Sequence, residues 1–344
     1  MTRLLRYSLI GIAFLLWLGG CSGSVMHWMY QTGFIADDYR FGDLYRLSSL
    51  PQFKEPQLPC DDPALVQTDS SARPVSLYII GDSFSEPQRL SQTAFQRAGL
   101  PVTYYRRVHW EDQMQVKLDT SQYNVLMLES VERHFREHFA HPVHSLAVVQ
   151  DTSHTATKAE SQKTWRRQLF DQIQSKGIEE RLETVLFSQD LFLWLKELKA
   201  SLTLHLFDRF SPTVGLSKDR QHVFVDLDVD TTKVLNSSFA PLSNKEVKLL
   251  VDSLNNAAKR YRKAGFDAVY LSIIPNKATI LDPSRGAYNH LIERIQQHPR
   301  LQIPVIDVYS TYKASHEPVY ATGDSHWNCT GRRIWLNQVV KTIR

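Results

Sequence analysis

Residues 123–128, Tyr-Asn-Val-Leu-Met-Leu, form a nearly continuous apolar run of strand length, and a strand of that kind has to be covered on both faces. Only a parallel sheet held between two layers of helices meets that demand, so the flanking sequence must supply the helices. It does. Val75-Ser76-Leu77-Tyr78-Ile79-Ile80 is a second β-rich run, and residues 86–98 carry helix formers closed by Gly99. Strands are also expected at 102–105, 268–274 and 304–308, with helices at 129–138, 288–297 and 332–342. Ser243 followed three residues later by Glu246 makes a capping box, and the helix it opens should run to about Ala264 before Gly265 stops it. The alternation predicts an α/β class chain, a three-layer α/β/α parallel sheet over 75–344. Residues 156–210 change to helical period, with Leu182, Val185, Leu186, Leu193, Leu195, Leu198, Leu202 and Leu206 as an apolar stripe. They read as a helical insertion whose stripe packs into a core.

The N-terminus speaks to localisation. Arg3 and Arg6 precede the apolar run 7–18, and Leu18-Gly19-Gly20-Cys21 follows, the layout of an export signal. Two forms of segment 1–30 stay open. In one, a bacterial lipoprotein, Cys21 is lipidated and becomes the mature N-terminus. In the other the segment is an uncleaved anchor, since apolar character resumes at Val25-Met26 and Trp28-Met29-Tyr30, and 7–30 is long enough to span a bilayer. Either form is attached to the membrane and puts the body on the periplasmic or extracellular side of the envelope. Residues 31–74, punctuated by Pro51, Pro56, Pro59, Pro63 and Pro74, read as a linker. Setting Cys21 aside leaves Cys60 and Cys329, a pair suited to a disulfide in an oxidising compartment, with two separately buried thiols as the alternative. With 40 Lys+Arg against 36 Asp+Glu, net charge +4, and no dense basic stripe, nucleic acid is not an expected partner.

Gly81-Asp82-Ser83-Phe84-Ser85 stands at the carboxyl end of the 75–80 run, where open α/β sheets gather their sites. Gly81 would let the chain turn sharply, and a serine opening the next helix would have backbone N–H groups beside it for an oxyanion. A serine hydroxyl needs a base, and the base needs a group to hold its tautomer. Asp324-Ser325-His326 offers both. Gly-Asp-Ser occurs twice, at Gly81 and Gly323, but only the first follows an apolar strand, which makes Ser83 the nucleophile candidate and Ser325 a spacer. A competing cluster, His134, His138, His141 and His144, has spacings of four, three and three, and an i, i+4 pair shares a helix face. Arg133, Arg136 and Glu137 around it favour a solvated helix face over a metal site, so neither a metal nor another cofactor is expected.

Four segments carry a resemblance. They are Ile80-Gly81-Asp82-Ser83-Phe84-Ser85, Leu128-Glu129-Ser130-Val131-Glu132-Arg133, Ile274-Pro275-Asn276-Lys277-Ala278-Thr279-Ile280, and Asp324-Ser325-His326-Trp327-Asn328 with Gly331. Together the chain resembles the SGNH (GDSL-type) hydrolase superfamily and, more narrowly, its alginate O-acetyltransferase and DHHW-type proteins. The resemblance implies an SGNH-like domain over 75–344 with Ser83, Asp324 and His326 as the catalytic set. Asp82, Arg133, Asn276, Lys277, Trp327 and Asn328 are its candidates for oxyanion or substrate binding. It implies serine-dependent acyl transfer, as an O-acetyltransferase or O-acetylesterase, with a polysaccharide acceptor and a membrane acyl-exporting partner. A non-catalytic polysaccharide-binding or assembly lipoprotein on the same scaffold is the alternative. Two features depart from the pattern. The Asp-x-His-Trp segment follows Gly-Asp-Ser-Phe instead of preceding it, as if circularly permuted relative to the alginate group. No Gly-x-Asn-Asp block is present to complete an oxyanion hole.

Overall fold

The computed structural model describes residues 3–21, 23–37, 39–61, 73–149 and 178–344. Two compact units divide the chain, one comprising Met1–Gln57 and Thr152–Ser211, the other Leu58–Asp151 and Pro212–Arg344.

The second unit contains a five-stranded sheet built from β1 (Val75–Gly81), β2 (Val102–His109), β4 (Tyr123–Val131), β8 (Ala268–Ile274) and β9 (Val305–Ile306), in the order β2-β1-β4-β8-β9. Every pairing in it is parallel. Two small two-stranded sheets stand apart: β3 (Met114–Val116) with β5 (Leu146–Val148), and β6 (Val214–Leu216) with β7 (Val223–Val225).

Alternation within the central strands divides the core in two, as a buried parallel sheet requires. Tyr78, Ile80, Leu126, Leu128, Leu271 and Ile273 point to one face, where Phe135 and Phe139 of the helix Glu132–Ala140 and Leu250, Leu254 and Tyr261 of the helix Asn244–Lys263 cover them. Leu77, Ile79, Val125, Met127 and Ile274 point to the other. There Phe95 of the helix Gln92–Ala98 and Trp335 and Val339 of the helix Cys329–Ile343 close the layer. The three-layer α/β/α arrangement is thus present as expected.

Capping residues set the helix boundaries. Ser243 accepts a hydrogen bond from the Glu246 N–H at 3.2 Å, and the helix it opens ends at Lys263 ahead of Gly265, whose φ is +116°. The expected helix 86–98 is shorter. It begins at Gln92, where the Ser91 hydroxyl accepts from the Ala94 N–H, and the turn at 87–89 precedes it. The strand at 123–128 runs on to Val131, and the following helix starts at Glu132 instead of Glu129.

In the first unit the helix Arg3–Cys21 packs against the helix Ile178–Phe187, and the helix Gly23–Gln31 contributes Met26 and Met29 to a small cluster with Ile35 and Val185. Among the described residues no helix is long and apolar enough to cross a membrane. The side chain of Cys21 lies outside the described residues. Segment 31–57, expected as linker, holds the helix Asp43–Ser48 and buries Leu44, Tyr45, Leu50 and Phe53. The described part of the 156–210 insertion is helical, as Ile178–Phe187 and Asp190–Phe207, and it groups with the N-terminal unit, not within 75–344. Residues 156–177 of the expected insertion lie outside the described residues. The stripe also departs from expectation: Val185, Leu193 and Leu204 are buried, but Leu186, Leu195, Leu198, Leu202 and Leu206 are exposed.

Candidate active site

Strand order fixes where the site forms. The chain moves from β1 to β2 on one side and then returns to place β4 on the other side of β1, so the direction of winding reverses beyond the carboxyl ends of β1 and β4. Ser83 follows β1 by two residues, and Arg133 follows β4 by two.

Gly81 is required by close approach, not by turn geometry. A Cβ there would stand 2.3 Å from both Glu129 Oε2 and Ser85 Oγ, and Gly81 is not among the residues with positive φ. Glu129, reaching across from β4, accepts from the Asp82 N–H at 3.0 Å and from the Ser85 hydroxyl at 2.7 Å. From β2, Arg107 donates to the Gly81 and Asp82 carbonyls at 2.9 and 2.8 Å. The Asp82 carboxylate accepts from the Val131 N–H at 2.7 Å. The loop that carries Ser83 is therefore gripped by both neighbours of β1. Burial, with the Asp82 charge added, pushes the Glu129 carboxyl up to about 8, and burial also raises Asp82. Ser83 itself begins a single 3₁₀ turn, Ser83–Ser85, and not the helix it was expected to open.

Asp324, Ser325 and His326 come to Ser83 from 243 positions away in sequence. Ser83 Oγ lies 2.7 Å from His326 Nε2, and His326 Nδ1 lies 2.5 Å from Asp324 Oδ1. The same carboxylate oxygen accepts from the His326 backbone N–H at 2.8 Å. A carboxylate can only accept, so Nδ1 carries the proton and Nε2 is left to accept from the serine hydroxyl. The Phe84 ring packs on the imidazole at 4.6 Å between ring centres.

Four of the resemblance-derived candidates support this geometry from behind. The Lys277 ammonium is buried and donates to the carbonyls of Ala321, Thr322 and Asp324 at 2.7, 2.8 and 3.1 Å, clamping the segment that ends in His326. Asn276 is fully buried, accepting from the Arg133 N–H and donating to the Ser238 hydroxyl, so its amide ties β8 to the helix after β4. Trp327 is buried against Phe84 and Trp335, at 5.0 and 5.4 Å between ring centres, and does not offer a face to a sugar. Asn328 caps the last helix by accepting from the Gly331 N–H at 3.0 Å. None of the four is among the residues that line the pocket onto which Ser83 opens, and the contacts they make are internal ones that hold the surrounding segments.

That pocket, of about 430 Å³, is lined by Ser83, Asp82, Trp110, Arg133, His134 and His138 among others. His141 and His144 also line it, so the histidines set aside as a helix face share a cavity with Ser83. They do not converge. His138 Nδ1 pairs with the Ser130 hydroxyl at 2.9 Å and its ring stacks on Trp110, while His144 Nδ1 accepts from Arg260 at 3.2 Å. Burial, then the neighbouring His134 and His109, drives the His138 imidazole down to about 3 and keeps it neutral.

Sequence reasoning missed Glu129, Arg107 and Arg89. Arg89 donates to the Ser83 carbonyl and stands 3.3 Å from His326 Nδ1. A glutamate inside an otherwise apolar strand was the one signal available for this group. Cys60 and Cys329 are joined by a disulfide, Cα to Cα 5.3 Å, three residues beyond His326.

No protein-family model, no curated protein and no solved structure matches this chain.

Proposed function

We propose that the protein is an SGNH-type serine acyl-transfer enzyme of the bacterial cell envelope, acting on envelope or secreted polysaccharide as an O-acetyltransferase or O-acetylesterase. The observation that carries this reading is the continuous chain of contacts from Ser83 Oγ through His326 to Asp324, at the edge of a pocket.

In this mechanism His326 Nε2 takes the Ser83 proton as Oγ attacks an ester carbonyl, and Asp324 stabilises the imidazolium. The oxyanion forms beside the Ser83 N–H, the one donor assigned to it. Collapse breaks the bond to the leaving alkoxide, which receives the proton from His326, and leaves acyl-Ser83. A second hydroxyl then gives its proton to His326 and attacks the acyl carbon; Ser83 departs and recovers the proton. Water as that hydroxyl makes an esterase, a sugar makes a transferase. An N-terminal membrane attachment, through lipidated Cys21 or an uncleaved segment 1–30, and a membrane partner that delivers acyl groups complete the proposal.

The test uses an aryl acetate and a serine-directed phosphonate on wild type and Ser83→Ala. Wild type should hydrolyse the ester and gain one phosphonate by mass, and Ser83→Ala should lose at least about 10³-fold in rate and take no label. Equal inertness of the two proteins would overturn the enzymatic reading in favour of a binding scaffold. An acetyl mass increment on added oligosaccharide separates transferase from esterase.

A further inference from the structure

Beyond the carboxyl ends of β1, β2 and β4 the pocket has a composition that the triad chemistry does not require. We infer that it is the acceptor subsite, and that the acceptor it takes is an uncharged, hydroxyl-rich sugar, recognised in part by His134 and Glu137. The inference rests on the acyl-transfer reading for the word acceptor, but the binding it asserts does not.

Size comes first. About 430 Å³ falls within the ~300–1,000 Å³ range of small-molecule sites. Most such sites are walled by apolar and aromatic side chains. In this pocket only Trp110, Pro142 and Val143 are apolar, and the rest of the wall is imidazole, carboxylate, hydroxyl and guanidinium. A ligand bearing hydroxyls would find donors and acceptors on most sides, with apolar surface between them for its ring carbons.

Charge then selects among hydroxylated ligands. Arg133 is the cation of the wall, and its Nη1 faces the buried Asp228 carboxylate at 3.5 Å. His144 accepts from the Arg260 guanidinium through Nδ1, so that nitrogen holds no proton. His138 is kept neutral by burial, and burial with the Arg133 charge lowers His134 as well. Against these stand the carboxylates of Glu111 and Glu137. A uronate or sulfated sugar would bring its anion toward those two groups, and among the described residues that line the pocket the one guanidinium, Arg133, already faces Asp228.

His134 and Glu137 lie three residues apart on the helix Glu132–Ala140, with Nδ1 3.4 Å from Oε2. Both are partly exposed within the pocket that Ser83 enters. A neutral imidazole that gives its Nδ1–H to the carboxylate leaves Nε2 and the second carboxylate oxygen as two acceptors side by side, which the O–H groups of a pair of vicinal hydroxyls can satisfy.

The test is calorimetric titration of the wild-type protein, without acyl donor, with cellohexaose, maltohexaose, mannohexaose, an N-acetylglucosamine hexamer and tetragalacturonate. At least one neutral oligomer should bind, tetragalacturonate should bind more weakly, and His134→Ala and Glu137→Ala should each raise Kd about tenfold with little change in melting temperature. Absence of binding by every neutral oligomer, tighter binding of tetragalacturonate, or unchanged Kd in both variants would overturn the inference. Phosphonate labelling of Ser83 in the same wild-type sample reads the acyl-transfer proposal separately, so the two can fail independently.

Discussion

Glu129 shows how much the loop that carries Ser83 depends on a residue buried beside it. Fully buried, it holds the Asp82 N–H and the Ser85 hydroxyl on one carboxyl oxygen, and its proton is retained to about pH 8. A carboxyl whose pKa is raised on folding binds its proton more tightly in the folded chain. Its contribution to stability is therefore full below the ordinary value of 4.5 and is lost as pH rises through about 8. Glu132, pushed up to about 7 mainly by burial, acts in the same direction. Unfolding free energy should thus fall across this window. Glu129→Gln keeps the accepting oxygen and supplies an amide where the acid proton was, so it should remove part of that fall, on the order of 2–4 kcal/mol. Urea titrations of both proteins at several pH values check this, and equal slopes would count against it. Little of this was readable beforehand: Ser83, Asp324 and His326 stand in short motifs, but the partners of Glu129 are set by strand register, which no local window contains.

At the scale of elements, the central strands were the most legible part of the chain, because a strand covered on both faces has to be apolar throughout. Boundaries were less so. The helix expected from residue 86 starts at Gln92, since Ser91 supplies its cap and the turn before it contains Pro87. The apolar stripe at 182–206 was misread for a physical reason. Periodicity reports which face of a helix is apolar, not whether another element covers that face. In the helix Asp190–Phe207, Leu195, Leu198, Leu202 and Leu206 follow one another along an exposed line. Exposed patches of this kind drive association. The purified protein should bind an anilinonaphthalene dye and elute early in gel filtration without detergent, and Leu195→Gln with Leu202→Gln should reduce both effects. Unaltered dye fluorescence in the double variant would show that the stripe is not the surface responsible.

For the molecule as a whole, the site depends on ties between segments that are distant in sequence. Ser83 meets His326, Lys277 clamps the segment from Ala321 to Asp324, and Cys60 is bonded to Cys329. The cysteine pair was legible by arithmetic, although its alternative of two free thiols was equally consistent with composition. A cross-link between residues 269 apart should stabilise by about 2–5 kcal/mol, chiefly by restricting the unfolded chain. Reduction, or Cys60→Ser with Cys329→Ser, should lower the urea midpoint accordingly while leaving unfolding cooperative; an unchanged midpoint would contradict this.

The same bond has a mechanical side. Tension applied between a point before Cys60 and a point after Cys329 passes through the sulfur bridge, and the chain from Asp61 to Asn328 is left off the load path. Every strand of the central sheet lies in that shielded stretch, as do Ser83 and His326. A chain pulled by its two ends would keep Ser83 and His326 in register under loads that stretch its termini.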